Sequence, residues 1–294
     1  MTAPLSFIAA LVAVTLAGGV WVGFALKSEG ILSLEAFKSL RVDRFLAGDL
    51  WSTSTTEALV TLPLFILMGE ILFHTRLSRN LFAGLAPFVR RLPGRLLHVN
   101  VLGCTLFAAV SGSSAATTAT VGRITRKELQ ARGYSPVMAA GSLAGAGTIG
   151  FLLPPSIPLI IYGILAEVSI LELFIAGVIP GRMLAVMFMI YIGGSSLIVP
   201  GAVPEADPST TWAQKAYALT RLAPVGMLIG FVLGTMYSGW ASVTEAAAMG
   251  VFGALLLSLM EGTFTFRMIG GALMGTVRTC SMIGLILACA LFMS

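Results

Sequence analysis

Residues 108–122 read AAVSGSSAATTATVG, a run of small and hydroxyl-bearing residues without charge, set in the middle of a strongly apolar chain. The flanks, LLHVNVLGCTLF before and VGRI after, keep helical apolar spacing. As one helix the uncharged window 96–122 would rise about 40 Å at about 1.5 Å per residue, enough to cross a hydrocarbon core of about 30 Å. Charge opposes that crossing, because Arg90, Arg91 and Arg95 precede the window and Arg123, Arg126, Lys127 and Arg132 follow it. Cations near segment ends collect on the cytoplasmic side, so both ends prefer the same side. A re-entrant hairpin satisfies both demands. One half-helix enters from the cytoplasm, the chain turns at Ser111, Gly112, Ser113 and Ser114, and a second half-helix returns, with Thr117 just past the turn.

Non-helical backbone at this depth is tolerated only where protein buries it or a wet cavity solvates it. At such a tip the carbonyls that end the incoming half-helix can ligate a cation, and the amides that open the outgoing one favour an anion. The stretch therefore reads as a coupled ion and anion site. Its alternative is a packing seam, in which Gly, Ser and Thr let helices approach closely.

The whole composition agrees with a membrane setting. The chain of 294 residues is 57% hydrophobic and 11% charged, with a mean hydropathy of +0.95, whereas soluble domains carry about 25% charged residues. This is an all-α, polytopic integral membrane protein, with membrane lipid as its surroundings. The net charge of +5 resides in short stretches between apolar segments, and no basic stripe with interleaved aromatics suggests nucleic acid. Cys104, Cys280 and Cys289 lie at no metal-ligand spacing, and His74 and His98 form no H-x-x-x-H pair, so no cofactor is expected. An intramembrane serine hydrolase acting through Ser111 or Ser113 would need a general base within about 3 Å. No intramembrane His or Lys lies near that tip in the sequence, which favours transport over enzymatic chemistry.

Taken in order, residues 1–95 are expected to hold the N-terminal membrane helices and an interfacial arm. Residues 4–26 lack a basic n-region and a small-residue cleavage site, and they are long enough to stay as a membrane helix. Residues 27–51 are of mixed charge and expected at the interface. A second segment, 57–73, carries Pro63 and ends near Glu70, an acid that either pairs locally with His74 and Arg76 or serves a function. Leu77, Leu81, Leu85, Phe88 and Leu92 recur at spacings of three and four, as in an interfacial arm helix.

Residues 96–200 form the first transport region, with the hairpin at 96–128 and a broken helix at 136–165. Within the latter, FLLPPSIPLIIYG places Pro154, Pro155 and Pro158 where a regular helix cannot continue. Thr148, Gly150 and the LPPS turn are then expected close to the Ser111 tip, the alternative being a simple proline kink. Residues 171–200 contain Pro180, Gly181 and Arg182 and read equally as one long helix or two pieces. Residues 201–294 comprise a polar linker, a second amphipathic stretch at 211–222 and a second tip at 238–248. There SGWASVTEAAAMG resembles SGSSAATTATVG, which marks Ser238, Gly239, Thr244 and Glu245. A weak internal repeat with polar breaks at corresponding places suggests a transporter of two related halves, the second incomplete. Glu245 either pairs with Arg278 or polarises the second tip.

The strings LPLFILMGE (62–70), SGSSAAT (111–117), RGYSP (132–136), GTIGFLLPPSIPLIIYG (147–163), LFIAGVIPG (173–181) and TEAAA (244–248) resemble the large membrane subunit of the tripartite ATP-independent periplasmic transporters. The resemblance runs the length of the chain. It implies an inverted-repeat, elevator-type importer in the bacterial inner membrane, driven by sodium and carrying an organic acid such as a C4-dicarboxylate or sugar acid. It implies two partners, a small four-helix membrane subunit and a periplasmic substrate-binding protein. Carried over by position, Ser111, Gly112, Ser113, Ser114 and Thr117 become sodium and substrate contacts, with Thr148, Gly150, Pro154 and Pro155 from the broken helix. Ser238, Gly239, Thr244 and Glu245 stand where the family carries its second tip, although its usual Thr-Pro-Thr-Glu is Ser242, Val243, Thr244, Glu245 here. The implied sodium ligands are Ser111, Ser113, Thr148 and Thr244. Because the second copy should continue well past residue 294, the chain is expected to be a fragment, a truncated reading frame or half of a two-chain assembly. A self-contained sodium/dicarboxylate carrier and an inactive fragment are the alternatives.

Overall fold

The computed structural model describes residues 2–37, 48, 51, 55, 58–75, 77–199, 201, 203–204 and 211–293. Among them there is no strand. The chain divides into two compact units, residues 1–60 with 277–294, and residues 61–276.

In the first unit α1 (Thr2–Ala17) and α2 (Val22–Phe37) form a helical hairpin. This corrects the single span expected over 4–26. The 16 residues of α1 rise only about 24 Å at about 1.5 Å each, and the chain reverses at Gly18 and Gly19, the latter at φ 75, where a side chain would be strained. Phe7 meets Phe37 edge-on at 5.6 Å, and the Thr15 hydroxyl lies 2.6 Å from Oε1 of the buried Glu29. The interfacial stretch expected over 27–51 is helical through Phe37, and most of its remainder lies outside the described residues, as does most of the linker 200–210.

The second unit is threaded by α3 (Ala58–Phe73), whose apolar run continues through Pro63. The arm α4 (Leu77–Val89) follows, then α5 (Leu97–Ser111), α6 (Ser114–Ala131), α7 (Pro136–Gly147), a 3-10 turn (Thr148–Phe151) and α8 (Ile157–Leu165). Next come α9 (Ile170–Ile198), α10 (Trp212–Tyr237), α11 (Val243–Met260) and α12 (Phe266–Met293), of which residues 266–276 belong to this unit. The helix α3 is the strut of the core. Its Phe65 packs on Phe174 of α9 at 6.3 Å, its Phe73 stacks on Phe107 of α5 at 5.1 Å, and Met68 fills the space a Cβ on Gly250 of α11 would need. Glu70 is accommodated the same way: a Cβ on Gly275 of α12 would stand 2.7 Å from its carboxylate. Among the described residues four helices, α9, α10, α11 and residues 266–291 of α12, are long and apolar enough to cross a membrane.

The alternative left open over 171–200 resolves as one helix of 29 residues passing through Pro180. Gly177 and Gly181 lie on its face toward Leu152 and Leu153, and a Cβ on Gly177 would come within 2.4 Å of the Leu152 carbonyl. The amphipathic stretch at 211–222 is the first part of α10 rather than a separate arm. It packs on α4, where Gly84 leaves room for Leu222.

Candidate functional site

The hairpin turn is built from local chemistry. Helix α5 has 15 residues, about 22 Å of rise, too short to cross about 30 Å of hydrocarbon. It ends because Gly112 takes the left-handed conformation (φ 61, ψ 2) while its N–H still donates to the Ala108 carbonyl. One residue later Ser113 is extended and caps α6, its Oγ accepting from the Ala116 N–H at 3.3 Å. The Ser111 Oγ sits 2.8 Å from the Thr117 Oγ1, both side chains being buried, and accepts from the Ser113 N–H at 3.3 Å. The tip is thus a closed hydroxyl cluster between a helix C-terminus and a helix N-terminus.

The helix broken at the LPPS turn docks on that tip. The Gly112 carbonyl accepts from the Ile157 N–H, the first amide of α8, at 3.0 Å. A Cβ on Gly112 would lie 2.9 Å from the Pro155 carbonyl oxygen, and one on Gly150 would lie 3.2 Å from the Ser114 Cα. Pro154 and Pro155 are buried, their shared peptide bond is cis, and the buried Ser156 donates to the Phe151 carbonyl at 2.8 Å. Three helix ends therefore meet here. The last carbonyls of α5 carry partial negative charge, and the first amides of α6 and α8 carry partial positive charge. Backbone groups of opposite partial charge therefore lie within one cluster.

Seven of the expected residues share this cluster or its docking turn: Ser111, Gly112, Ser113, Ser114, Thr117, Gly150 and Pro155, with Pro154 beside them. Thr148 is exposed, and its hydroxyl donates to the Gly145 carbonyl at 2.8 Å rather than to the tip. Ser238, Gly239, Thr244 and Glu245 lie around the turn between α10 and α11. Those two helices have 26 and 18 residues, against 15 and 18 for α5 and α6, so the two turns differ in the length of the helix that leads into them. Thr244 Oγ1 lies 2.6 Å from Thr61 Oγ1 on α3. A Cβ on Gly69 of the same helix would come within 2.9 Å of the Ser111 Cα, so the two tips meet α3 eight residues, or about 12 Å, apart. The Glu245 carboxylate accepts from the Ser242 N–H at 2.8 Å, and the Ser242 Oγ accepts from the Glu245 N–H at 3.2 Å. This reciprocal cap is the structural role of Glu245.

Four residues of the neighbourhood escaped the sequence reading: Gly69, Thr61, Gly147 and Thr118. A Cβ on Gly147 would fall 1.9 Å from the Thr118 Oγ1, so the glycine is what lets α7 lie against α6. A glycine and a threonine inside the apolar run ALVTLPLFILMGE were the available signal for the first two. Nothing in the sequence paired Gly147 with Thr118.

A helical hairpin seated on the break of a second apolar helix is an arrangement found in membrane transporters, where irregular backbone is kept inside the protein. Residues 9–294 match the family described as the tripartite ATP-independent periplasmic transporter, DctM component, and the chain belongs to that family. It is 38% identical over 205 residues to the ectoine TRAP transporter large permease protein TeaC of Halomonas elongata, covering 69% of this chain and 47% of the relative. It is 37% identical over 226 residues to the C4-dicarboxylate TRAP transporter large permease protein DctM of Pseudomonas aeruginosa, covering 76% and 51%. It is also 30% identical over 276 residues to the sialic acid TRAP transporter large permease protein SiaM of Vibrio cholerae, covering 91% and 62%. The chain spans about half the length of the first two relatives. These relatives are named as transporter permeases, not as enzymes. Family membership together with the apolar helices places the chain in the inner membrane as a multi-pass protein.

Proposed function

We propose that the chain supplies part of the solute path in a sodium-driven importer of small organic acids. The observation that carries this reading is the 3.0 Å hydrogen bond from the Ile157 N–H to the Gly112 carbonyl, which seats the hairpin tip on the broken helix. Sodium, a hard cation with no directional demand, is held by carbonyls at the end of α5 and by the Ser111 and Ser113 oxygens. The substrate carboxylate lies at the opposite pole, on the first amides of α6 and the hydroxyl of Ser114. Sodium bound at the same tip stabilises the neighbouring anion, which links the two solutes. The relatives are named for ectoine, C4-dicarboxylates and sialic acid. All three bear a carboxylate, and that shared group supports an organic acid as cargo here. A small four-helix membrane subunit and a periplasmic substrate-binding protein complete the assembly, and an elevator-like displacement of the hairpin and broken helix carries the site across.

The test is uptake by the assembled complex in proteoliposomes, offered labelled succinate, ectoine and sialic acid in turn. An inward sodium gradient should drive uptake of at least one of them. Ser111→Ala should lower it about tenfold, equivalent to ~1.4 kcal/mol. Uptake that is indifferent to replacing sodium with potassium would contradict the reading.

A further inference from the structure

We propose that the cavity between α6 and α7 binds a small organic carboxylate at a second site, apart from the hairpin tip. The cavity has a volume of about 520 Å³, inside the range of about 300–1,000 Å³ usual for small-molecule sites. Thr118, Thr125, Arg126 and Gln130 of α6 make one wall polar. Ala139, Ala140 and Leu143 of α7 make the facing wall apolar. A ligand with a charged end and an apolar body suits both.

Packing fixes the walls. Gly122 of α6 takes the side chain of Leu143, and Gly147 of α7 takes that of Thr118, so the two helices are in contact while the alanines of α7 leave space between them. Thr118 stands one turn past Ser114, to whose carbonyl its Oγ1 donates at 2.8 Å. From Thr118 to Gln130 the helix rises about 18 Å at about 1.5 Å per residue. The cavity therefore leads from beside the tip toward the basic end of α6.

Its electrostatics select an anion. No carboxylate lines the cavity, and Glu128, the one acid of α6, is engaged by Arg132 at 3.5 Å. Among the described residues neither the Arg126 guanidinium nor the Gln130 amide has a side-chain hydrogen bond or ion pair. Arg123 and Lys127, exposed next to Arg126 on the same helix, add to the positive potential. The guanidinium fork matches the two oxygens of a carboxylate, and the Gln130 amide adds N–H donors. The hydroxyls of Thr118 and of the buried Thr125 donate to carbonyls of their own helix. What they offer a ligand is lone pairs, which accept from a hydroxyl or amino group on the body of the acid. The inference leans on the proposed function only for the source of that acid, which is either the transported solute or a carboxylate of the cytosol.

Binding of para-fluoromandelate to the purified full chain in detergent, followed by fluorine NMR line broadening of the probe, tests this. Wild type should broaden the probe saturably and should not do so with its neutral amide. Arg126→Gln should raise the half-saturating concentration about tenfold, equivalent to ~1.4 kcal/mol, and Arg126→Lys should raise it less. Ala140 is exposed, so Ala140→Trp fills the cavity without crowding the core, and it should abolish saturable binding with every charge in place. Replacing sodium with potassium should leave binding unchanged, because the oxygens assigned to sodium lie at the tip. Uptake by the complex that ignores sodium would thus end the transport reading and leave this site standing. Displacement of the probe by whichever of succinate, ectoine and sialic acid the complex takes up supports the proposal and makes the transported solute the ligand. Displacement only by acids that it does not take up supports the proposal with a cytosolic source. Equal half-saturation in wild type, Arg126→Gln and Ala140→Trp would overturn it. So would equal binding of the amide, or binding that requires sodium, which would place the probe at the tip.

Discussion

Replacing Gly112 by alanine strikes the tip where three constraints coincide. The residue sits at φ 61, and a Cβ in the left-handed region costs roughly 1–2 kcal/mol. That Cβ would stand 2.9 Å from the Pro155 carbonyl oxygen and 3.3 Å from the Ile157 amide nitrogen, so the docking turn must move, at an overpacking cost of about 1–3 kcal/mol. Displacing it lengthens the Gly112 to Ile157 hydrogen bond, worth about 1 kcal/mol. The sum is about 3–6 kcal/mol. Gly133 provides the control, since it has φ 79 with nothing within 4 Å of its Cβ position, and Gly133→Ala should cost only the backbone contribution of about 1–2 kcal/mol. Denaturant unfolding of the purified chain in mixed micelles, followed by helical circular dichroism, reads both. Gly112→Ala should unfold at clearly lower denaturant than Gly133→Ala. Coincident transitions for the two variants would refute the docked tip.

Gly147→Ala should destabilise the same fold by about 1–3 kcal/mol, because its Cβ meets the Thr118 Oγ1, and Thr118→Ala in the same chain should recover much of that loss in a double-mutant cycle. Ser242→Ala should cost about 1 kcal/mol by removing the cap of α11, whereas Glu245→Gln should cost less than about 0.5 kcal/mol, since glutamine completes the same reciprocal cap. A loss on Glu245→Gln as large as that on Ser242→Ala would show that the charge itself matters. The Thr61 to Thr244 bond should appear as a coupling of about 1 kcal/mol between Thr61→Val and Thr244→Val. Additive effects of those two substitutions would mean that the contact contributes nothing.

Much of this was legible in the chain because charge and backbone chemistry are written directly in residue types. Arginines on both sides of an uncharged window, together with the prolines at 154, 155 and 158, announced a short hairpin and a broken helix. What stayed hidden depended on shape. The reversal at Gly18 and Gly19 was overlooked because an apolar run continues across it, and length alone then suggests a span. The run through Pro180 remained ambiguous because a proline does not reveal whether its neighbours re-satisfy the helix. The likeness between residues 111–122 and 238–250 concerns small side chains only, and the helices that lead into the two turns differ in length, 15 residues against 26. Contacts such as Gly69 with Ser111 and Gly147 with Thr118 are tertiary, and one-dimensional spacing does not encode them.

The most direct measurement concerns the path of the backbone through the bilayer. Arg91 and Lys127 are both exposed and flank the hairpin. With the three native cysteines replaced, single cysteines at these two positions can be labelled by a membrane-impermeant maleimide in sealed vesicles of known orientation. A backbone that dips in and returns predicts labelling of both positions from the cytoplasmic face alone. Labelling from opposite faces would mean that residues 96–122 cross the membrane, and the tip would lose its role as a solute site.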